Sequence, residues 1–211
     1  MATRRPIWEN LQKNGDFELA PTFVAPTTST SVFITGTATG SASNDAYTWA
    51  TNKGGTGQAM FDTAEKYSGN YSMKVSTLAA GSFMYARAVP GTATNQKLRL
   101  NAITVAPNTS YTVEFWMKTN LVSGASASGA RLAVVQYNGA ATALTTVLST
   151  AVITTTGWTK YSFNFTTQAT CNFIELQCRV TGNDGAATLI MDGWFDDISV
   201  KPTTQTVRLA I

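Results

Sequence analysis

The sequence predicts a single all-β domain, built as an antiparallel sandwich or a barrel. Three observations predict it: short apolar runs alternate with polar residues at a period of two, turn-forming clusters separate them, and no segment longer than a turn or two has helical periodicity. With 211 residues, 44% hydrophobic and 13% charged, the chain can bury one sizeable core and is too apolar to be disordered. Many regularly spaced strands without helices are typical of sandwiches and barrels.

Nine segments carry the strand pattern. In chain order they are SVFIT (31–35), YSMKVS (71–76), SFMYARAV (82–89), LRLNAITV (98–105), SYTVEFWMKT (110–119), RLAVVQYN (131–138), WTKYSFNFTT (158–167), CNFIELQCRV (171–180) and ATLIMDGWFDDISV (187–200). The connecting stretches, such as KGGTG and APNTS, are rich in the Gly, Pro, Asn and Ser that form turns. Residues 121–130 are predicted to be a loop. The domain is predicted over 14–201, with terminal arms at 1–13 and 202–211.

Composition excludes several functional classes. A formal net charge of +3 with scattered basic residues gives no nucleic-acid footprint. No stretch reaches the roughly 20 apolar residues of a membrane span. The chain has no histidine, which excludes a Ser-His-Asp triad and a His-ligated zinc site. Its two cysteines, Cys171 and Cys178, lie seven residues apart on one predicted strand, on opposite faces and too far apart for a disulfide.

The first residues, MATRRPIWENLQKNGDFE, have charge but no apolar segment of a secretion signal. We therefore expect a protein made and kept in the cytosol, a virion part released by lysis, or a secreted protein whose leader was removed. The arm at 1–13 carries two arginines, an isoleucine and a tryptophan, and Arg and Trp are frequent at interface hot spots. It is predicted either to insert into a neighbouring subunit, to fold over the domain's own edge strand, or to be disordered.

Five landmarks follow one another in a characteristic order. They are NGDFE (14–18), YSGNYSMKVS (67–76), PNTSYTVEFWMKT (107–119), GWTKYSFNFTT (157–167) and LIMDGWFDDISV (189–200). Over residues 14–201 the chain resembles the carbohydrate-binding modules of the family 4, 9 and 22 type. The resemblance implies a β-jelly-roll with a ligand across a concave sheet face.

Similar jelly-rolls also occur in bacteriophage virions. A leaderless, histidine-free β domain with terminal arms is similar to those components. We therefore expect a non-catalytic virion surface protein, a capsid decoration or a tail or fibre component, docked or oligomeric through its arms and with some glycan adhesion. The alternative is a stand-alone module that binds a polysaccharide, and a glycoside hydrolase or lyase is the third possibility.

Asp196 and Asp197 stand side by side in GWFDDISV, and a catalytic pair, a metal site and a strand terminus would each explain them. Strand alternation predicts that they point to opposite faces, so they cannot flank one glycosidic bond. The resemblance implies instead a structural calcium that links the opening landmark to the last strand. Its predicted ligands are Asp16, Glu18, Ser68, Asp196 and Asp197. The alternative is that these acids cap turns by accepting backbone hydrogen bonds.

The predicted ligand face combines aromatic and polar side chains, as sugar binding requires. Alternation places Glu175, Gln177 and Arg179 on one face of their strand, opposite an apolar row. The predicted ligand-binding residues are Trp49, Tyr85, Arg87, Gln136, Tyr137, Glu175, Gln177 and Arg179. An ordinary solvated sheet with cross-strand polar pairs is the alternative. Trp116 is predicted to pack in the core, and Trp158 to anchor the start of its strand.

Overall fold

The structure, a computed structural model, describes residues 17, 32–33, 50–54, 56–87, 102–125, 127–181 and 188–203. Within these ranges the chain forms twelve strands and no helix, so none that could cross a membrane. The strands are β1 (Val32–Phe33), β2 (Ala50–Gly54), β3 (Gly57–Asp62), β4 (Ser72–Thr77), β5 (Phe83–Arg87), β6 (Ile103–Thr104), β7 (Ser110–Ser123), β8 (Gly129–Tyr137), β9 (Ala143–Leu148), β10 (Thr156–Thr166), β11 (Phe173–Thr181) and β12 (Ile190–Pro202).

The strands form two antiparallel sheets. Sheet A has the order β1-β3-β4-β12-β7-β10, so the last of the described strands lies in its middle, between β4 and β7. Sheet B has the order β2-β5-β11-β8-β9, with β6 paired to β11. Buried side chains from both sheets form one core, among them Phe115 and Met117 of sheet A and Leu132 and Leu176 of sheet B. The predicted all-β sandwich is confirmed.

Strand β7 shows how the pleat sorts side chains. Val113, Phe115 and Met117 point inward and are fully buried, whereas the residues between them are half-buried on the outer face. Trp116 is one of these outer residues, so its predicted place in the core is wrong. Its neighbours two positions away, Glu114 and Lys118, are charged, and a period of two assigns all three to the solvent side.

All nine predicted segments overlap a strand, and three further strands were not predicted. The unpredicted strands are β2, β3 and β9. β2 and β9 are the edges of sheet B, and β9 has mostly exposed or half-buried residues with no strict alternation. The predicted loop at 121–130 is also shorter than expected, because β7 continues to Ser123. Cys171 and Cys178 are both free and buried, as the exclusion of a disulfide requires.

Cys171, however, precedes β11 and packs in the same core as Cys178, so the predicted opposite faces are wrong for this pair. The predicted N-terminal arm at 1–13 lies outside the described residues, as do Asp16, Glu18 and Trp49. Of the predicted C-terminal arm at 202–211, residues 204–211 also lie outside them, whereas Pro202 is the last residue of β12. Between the two acids, Phe17 is fully buried and contacts Phe61 edge-on with ring centres 6.0 Å apart. Phe17 of the opening landmark therefore packs in the core beside β3.

Candidate functional site

The outer face of sheet B carries the candidate site. Register pairing puts Arg179 of β11 between Tyr85 of β5 and Arg131 of β8. Because directly paired residues share one face of a sheet, these side chains and those two positions along β11 lie together. We call Tyr85, Arg131, Tyr137, Glu175, Gln177 and Arg179 the sheet-B face. The intervening residues of β11, including Leu176 and Cys178, fill the core, as alternation predicts.

Hydrogen bonds join the polar members of the sheet-B face into a chain. The Tyr137 hydroxyl donates to Glu175 Oε2 at 3.2 Å, and Gln177 Nε2 donates to Glu175 Oε1. Arg179 Nε donates to Gln177 Oε1 at 2.8 Å. The Arg179 guanidinium carbon lies 4.4 Å from the centre of the Tyr85 ring, a cation–π contact. This series of contacts holds each of these side chains in one orientation without a ligand.

Burial is greatest at Glu175 and decreases through Gln177 to Arg179. Glu175 is fully buried, and Gln177 and Tyr137 are 5% and 7% exposed. Ala102 and Ala141 pack beside Tyr137 and close that end of the face. The other end, formed by Tyr85, Arg131 and Arg179, is half-buried. Solvent therefore reaches the half-buried end, whereas the side chains of the buried end are enclosed by the fold.

Gln136 does not belong to the sheet-B face, so this part of the prediction is wrong. It pairs in register with the core residue Ile174, and its side chain is 1% exposed. Its Nε2 donates to the Thr166 carbonyl at 3.1 Å, and its Oε1 accepts from the Gln168 amide at 2.8 Å. Adjacent strand residues face opposite ways, so Gln136 and Tyr137 cannot share a face.

For two other predicted ligand residues, the position of the side chain lies outside what the structure describes. The backbone of Arg87 pairs with Gln177 in register. Trp49 lies outside the described residues. Arg131 was not predicted, although the alternation of RLAVVQY assigns it to the same side as Tyr137.

Asp196 and Asp197 converge on one residue, Ser68. Asp196 Oδ2 accepts the amides of Tyr67 and Ser68 at 2.9 and 3.1 Å, and its Oδ1 accepts the Asp197 amide at 2.8 Å. Asp197 Oδ1 accepts the Ser68 hydroxyl at 3.1 Å. The expectation of opposite faces is wrong because Asp197 has a φ of 46°, and the β12–β7 register shifts between Asp196 and Ser199. A left-handed residue in a bulge breaks strand alternation.

The hydrogen bonds that Asp196 and Asp197 accept fit the turn-capping interpretation directly. Both Asp196 carboxylate oxygens already accept amides, and Asp196 is fully buried. Across the part of the chain that the structure describes, no group of three or more His, Cys, Asp or Glu could hold a metal. The predicted calcium site therefore depends on Asp16 and Glu18 and stays a prediction.

The Asp196 cluster predicts an unusual pH dependence. Burial raises the pKa of Asp196 from 3.8 to about 6, and the Asp197 carboxylate adds a smaller push, while the Ser68, Tyr67 and Asp197 amides oppose it. A folded-state pKa above the unfolded one means that the folded protein binds more protons between these values. The free energy of unfolding should therefore fall as pH rises from about 4 through about 6. We expect urea unfolding in EDTA to show this fall, and Asp196→Asn to lack it.

Parallel pH profiles for the two proteins would contradict this prediction. The same titration tests calcium, because with calcium bound at the aspartates the Asp196 carboxylate stays ionised and the slope is removed. The calcium prediction requires added Ca²⁺ at pH 7 to raise the melting temperature of the wild type above its value in EDTA. An unchanged melting temperature leaves the aspartates as turn-capping residues.

A group of aromatic side chains covers the outer face of sheet A. Trp116 stacks on Tyr67 with ring centres 3.7 Å apart, and Trp158 lies 6.1 Å from Tyr67. Trp194 Nε1 donates to Asp62 Oδ2 at 2.8 Å. These contacts hold the segment between β3 and β4 against the sheet. Tyr67 is 42% exposed and packs on the outer face of sheet A, whereas Tyr85 lies in sheet B. Tyr67 is therefore a suitable control for substitutions of Tyr85.

A family model described as a carbohydrate-binding domain, of families 4 and 9, matches residues 9–183. No curated protein sequence matches the chain. Among solved structures, the enzymatically active domain of tailspike protein 4 from bacteriophage CBA120 is similar, with a TM-score of 0.53 and 9% identity over 75% of this chain and 20% of that one. At this identity the likeness bears on the fold alone.

Two xylanase-derived structures are also similar. One is the CBM22-1 xylan-binding domain of Paenibacillus barcinonensis Xyn10C, with a TM-score of 0.46 and 12% identity over 77% of this chain and 92% of that one. The other is the CBM22-1–GH10 part of Clostridium thermocellum Xyn10B with xylohexaose, with a TM-score of 0.47 and 17% identity over 76% of this chain and 27% of that one. The family match, which spans most of the chain, carries the assignment. The chain belongs to the family 4 and 9 carbohydrate-binding domains.

Proposed function

We propose that this domain binds a polysaccharide on the sheet-B face and does not cleave it. The observation that carries the proposal is the hydrogen-bonded chain from Tyr137 through Glu175 and Gln177 to Arg179, which ends against the Tyr85 ring. Membership of a carbohydrate-binding family supports the ligand class.

The half-buried end of the face has the chemistry that a sugar ring needs. The Tyr85 ring offers an aromatic surface, and Arg179 and Arg131 offer hydrogen-bond donors at its edge. Arg179 is already held by Gln177, which is held in turn by Glu175. Side chains that are fixed in advance lose less conformational entropy when a ligand binds. The buried residues therefore act as positioning residues for the contact residues.

The carboxylates on this face do not suit glycoside hydrolysis. Hydrolases place two carboxyl groups on either side of the scissile bond. Among the side chains described on the sheet-B face, Glu175 is the one carboxylate, and it is fully buried and hydrogen-bonded to Tyr137 and Gln177. This supports binding without catalysis.

Attachment to a virion remains a prediction. It depends on the arm at 1–13, which lies outside the described residues, and the fold likeness to a phage tailspike domain carries no role. The family match favours the alternative, a polysaccharide-binding module.

Affinity gel electrophoresis against a panel of soluble polysaccharides tests the proposal. We expect at least one polysaccharide to retard the wild-type protein. Tyr85→Ala should weaken that binding by at least about tenfold, because truncating an aromatic contact residue commonly costs 2 kcal/mol or more. The matched control is Tyr67→Ala, which removes a tyrosine from the outer face of sheet A and should leave binding unchanged.

The measurements distinguish a site on sheet B from a site on sheet A, from the absence of binding and from a loss of folding. A wild-type protein that no polysaccharide retards contradicts the proposal. Binding that Tyr67→Ala removes and Tyr85→Ala preserves would place the site on sheet A instead. Equal urea midpoints for the variants and the wild type establish that losses of binding are not losses of folding.

A further inference from the structure

Two arginines face each other across the sheet-B face. Arg131 of β8 and Arg179 of β11 are direct register partners. Like charges directly opposite one another in a sheet are destabilising. Among the described side chains of this face, Glu175 carries the one negative charge, so the face has an excess of positive charge.

The two guanidinium groups differ in how they are held. Arg179 donates from Nε and Nη2 to Gln177 Oε1 and lies over Tyr85. Arg131 Nε, by contrast, is buried and has no hydrogen-bond acceptor in the described structure. A buried donor of a charged group that lacks an acceptor lowers the stability of the fold. The Arg131 guanidinium therefore has a hydrogen-bond donor, its Nε–H group, that no acceptor in the described structure uses.

The opposite sheet shows that this excess is specific to one face. On the outer face of sheet A, Lys74 pairs with Asp192 at 3.3 Å, Lys118 with Glu65 at 2.6 Å and Lys160 with Glu114 at 2.8 Å. Each of these three lysines thus has a carboxylate partner. Arg131 of the sheet-B face, by contrast, has no ion pair with a carboxylate among the described residues.

We propose that the polysaccharide bound by the sheet-B face is acidic, and that Arg131 binds its anionic groups. This inference rests on the proposed function. A guanidinium presents its donors in a planar fork that matches the two oxygens of a carboxylate or of a sulfate ester. The ligand class is therefore a polysaccharide with uronic acid or sulfated residues. The Tyr85 ring contacts the sugar, and Arg131, supported by Arg179, selects its charge.

The test compares each acidic polysaccharide with a neutral form of the same backbone. Polygalacturonate, alginate and glucuronoxylan are measured against their carboxyl-reduced forms, and dextran sulfate against dextran. We expect the wild-type protein to bind an acidic chain roughly tenfold or more tightly than its neutralised counterpart, in line with a charge-assisted hydrogen bond. The carboxyl and sulfate pairs show which anion is preferred.

Arg131→Gln should reduce the affinity for the acidic chain to that for the neutral chain. The control is Lys160→Gln, which removes the same charge from sheet A and should keep the preference. Equal binding of acidic and neutral chains by the wild type overturns the inference, and this comparison needs no variant to fold. A preference that survives Arg131→Gln also overturns it. Binding of neutral chains alone contradicts only this inference, whereas no binding of any chain contradicts the proposed function as well.

Discussion

Replacing Asp196 with alanine is expected to lower the free energy of unfolding by roughly 3 kcal/mol at pH 5. The fully buried carboxylate accepts three backbone amides, from Tyr67, Ser68 and Asp197. Alanine leaves these part-buried amides without their acceptor, and an unsatisfied buried donor costs about 1–3 kcal/mol. Urea unfolding at pH 5 and pH 8 measures the effect.

The loss should be smaller at pH 8 than at pH 5. Burial raises the pKa of Asp196 to about 6, so the ionised carboxylate present at pH 8 stabilises the fold less. Glu114→Ala is the control, because Glu114 bonds to the half-exposed Lys160 and its loss should cost below about 1 kcal/mol. An Asp196→Ala cost no larger than that of Glu114→Ala would show that the amides find other acceptors.

Gly124→Ala is expected to destabilise the domain by roughly 3–5 kcal/mol. Gly124 directly follows β7 and has a φ of 83°, in a region that residues with a Cβ rarely adopt. An added Cβ would lie 2.1 Å from the Thr188 carbonyl oxygen and 2.4 Å from its carbon. Both are backbone atoms just before β12, so the central strand of sheet A would have to shift. Chemical denaturation gives the cost.

Two other glycines separate backbone strain from steric overlap. Gly81 has a φ of 70° and no atom within 4 Å of an added Cβ, so Gly81→Ala should cost only the conformational strain, about 1–2 kcal/mol. Gly157 has open space and no positive φ, so Gly157→Ala should be nearly neutral. If Gly124→Ala costs no more than Gly81→Ala, the approach of Thr188 is not tight.

Period-two alternation predicted most of the sandwich because successive side chains of a strand point to opposite faces. A strand with one face in the core therefore has an apolar residue at every second position. CNFIELQCRV shows it, with Leu176 in the core and Glu175 and Gln177 on the other face. The edge strand β9 lacks that signal, since it packs on few neighbours and its threonines remain largely exposed or half-buried. Trp116 has the apolar ring of a core residue, but it alternates with the buried Phe115 and Met117 and so lies on the outer face with Glu114 and Lys118.

The site was harder to predict than the fold. Arg131 becomes significant only through its register with Arg179, and register between strands that are distant in sequence is a property of the folded sheet. The convergence of Asp196 and Asp197 on Ser68 depends on one left-handed residue in a bulge. No alternation rule foresees such a residue, because aspartate adopts this conformation only when the surrounding structure imposes it.

The central place of β12 sets the order in which the two sheets can be completed during synthesis. Every strand of sheet B precedes residue 182, so the sheet-B face can assemble before the end of the chain is made. Sheet A cannot, because β4 and β7 have no common neighbour until residues 190–202 leave the ribosome. Until then both present open edges, which are sites of aggregation. A released chain that ends before residue 190 would thus contain every described strand of sheet B but lack the strand that joins the two halves of sheet A.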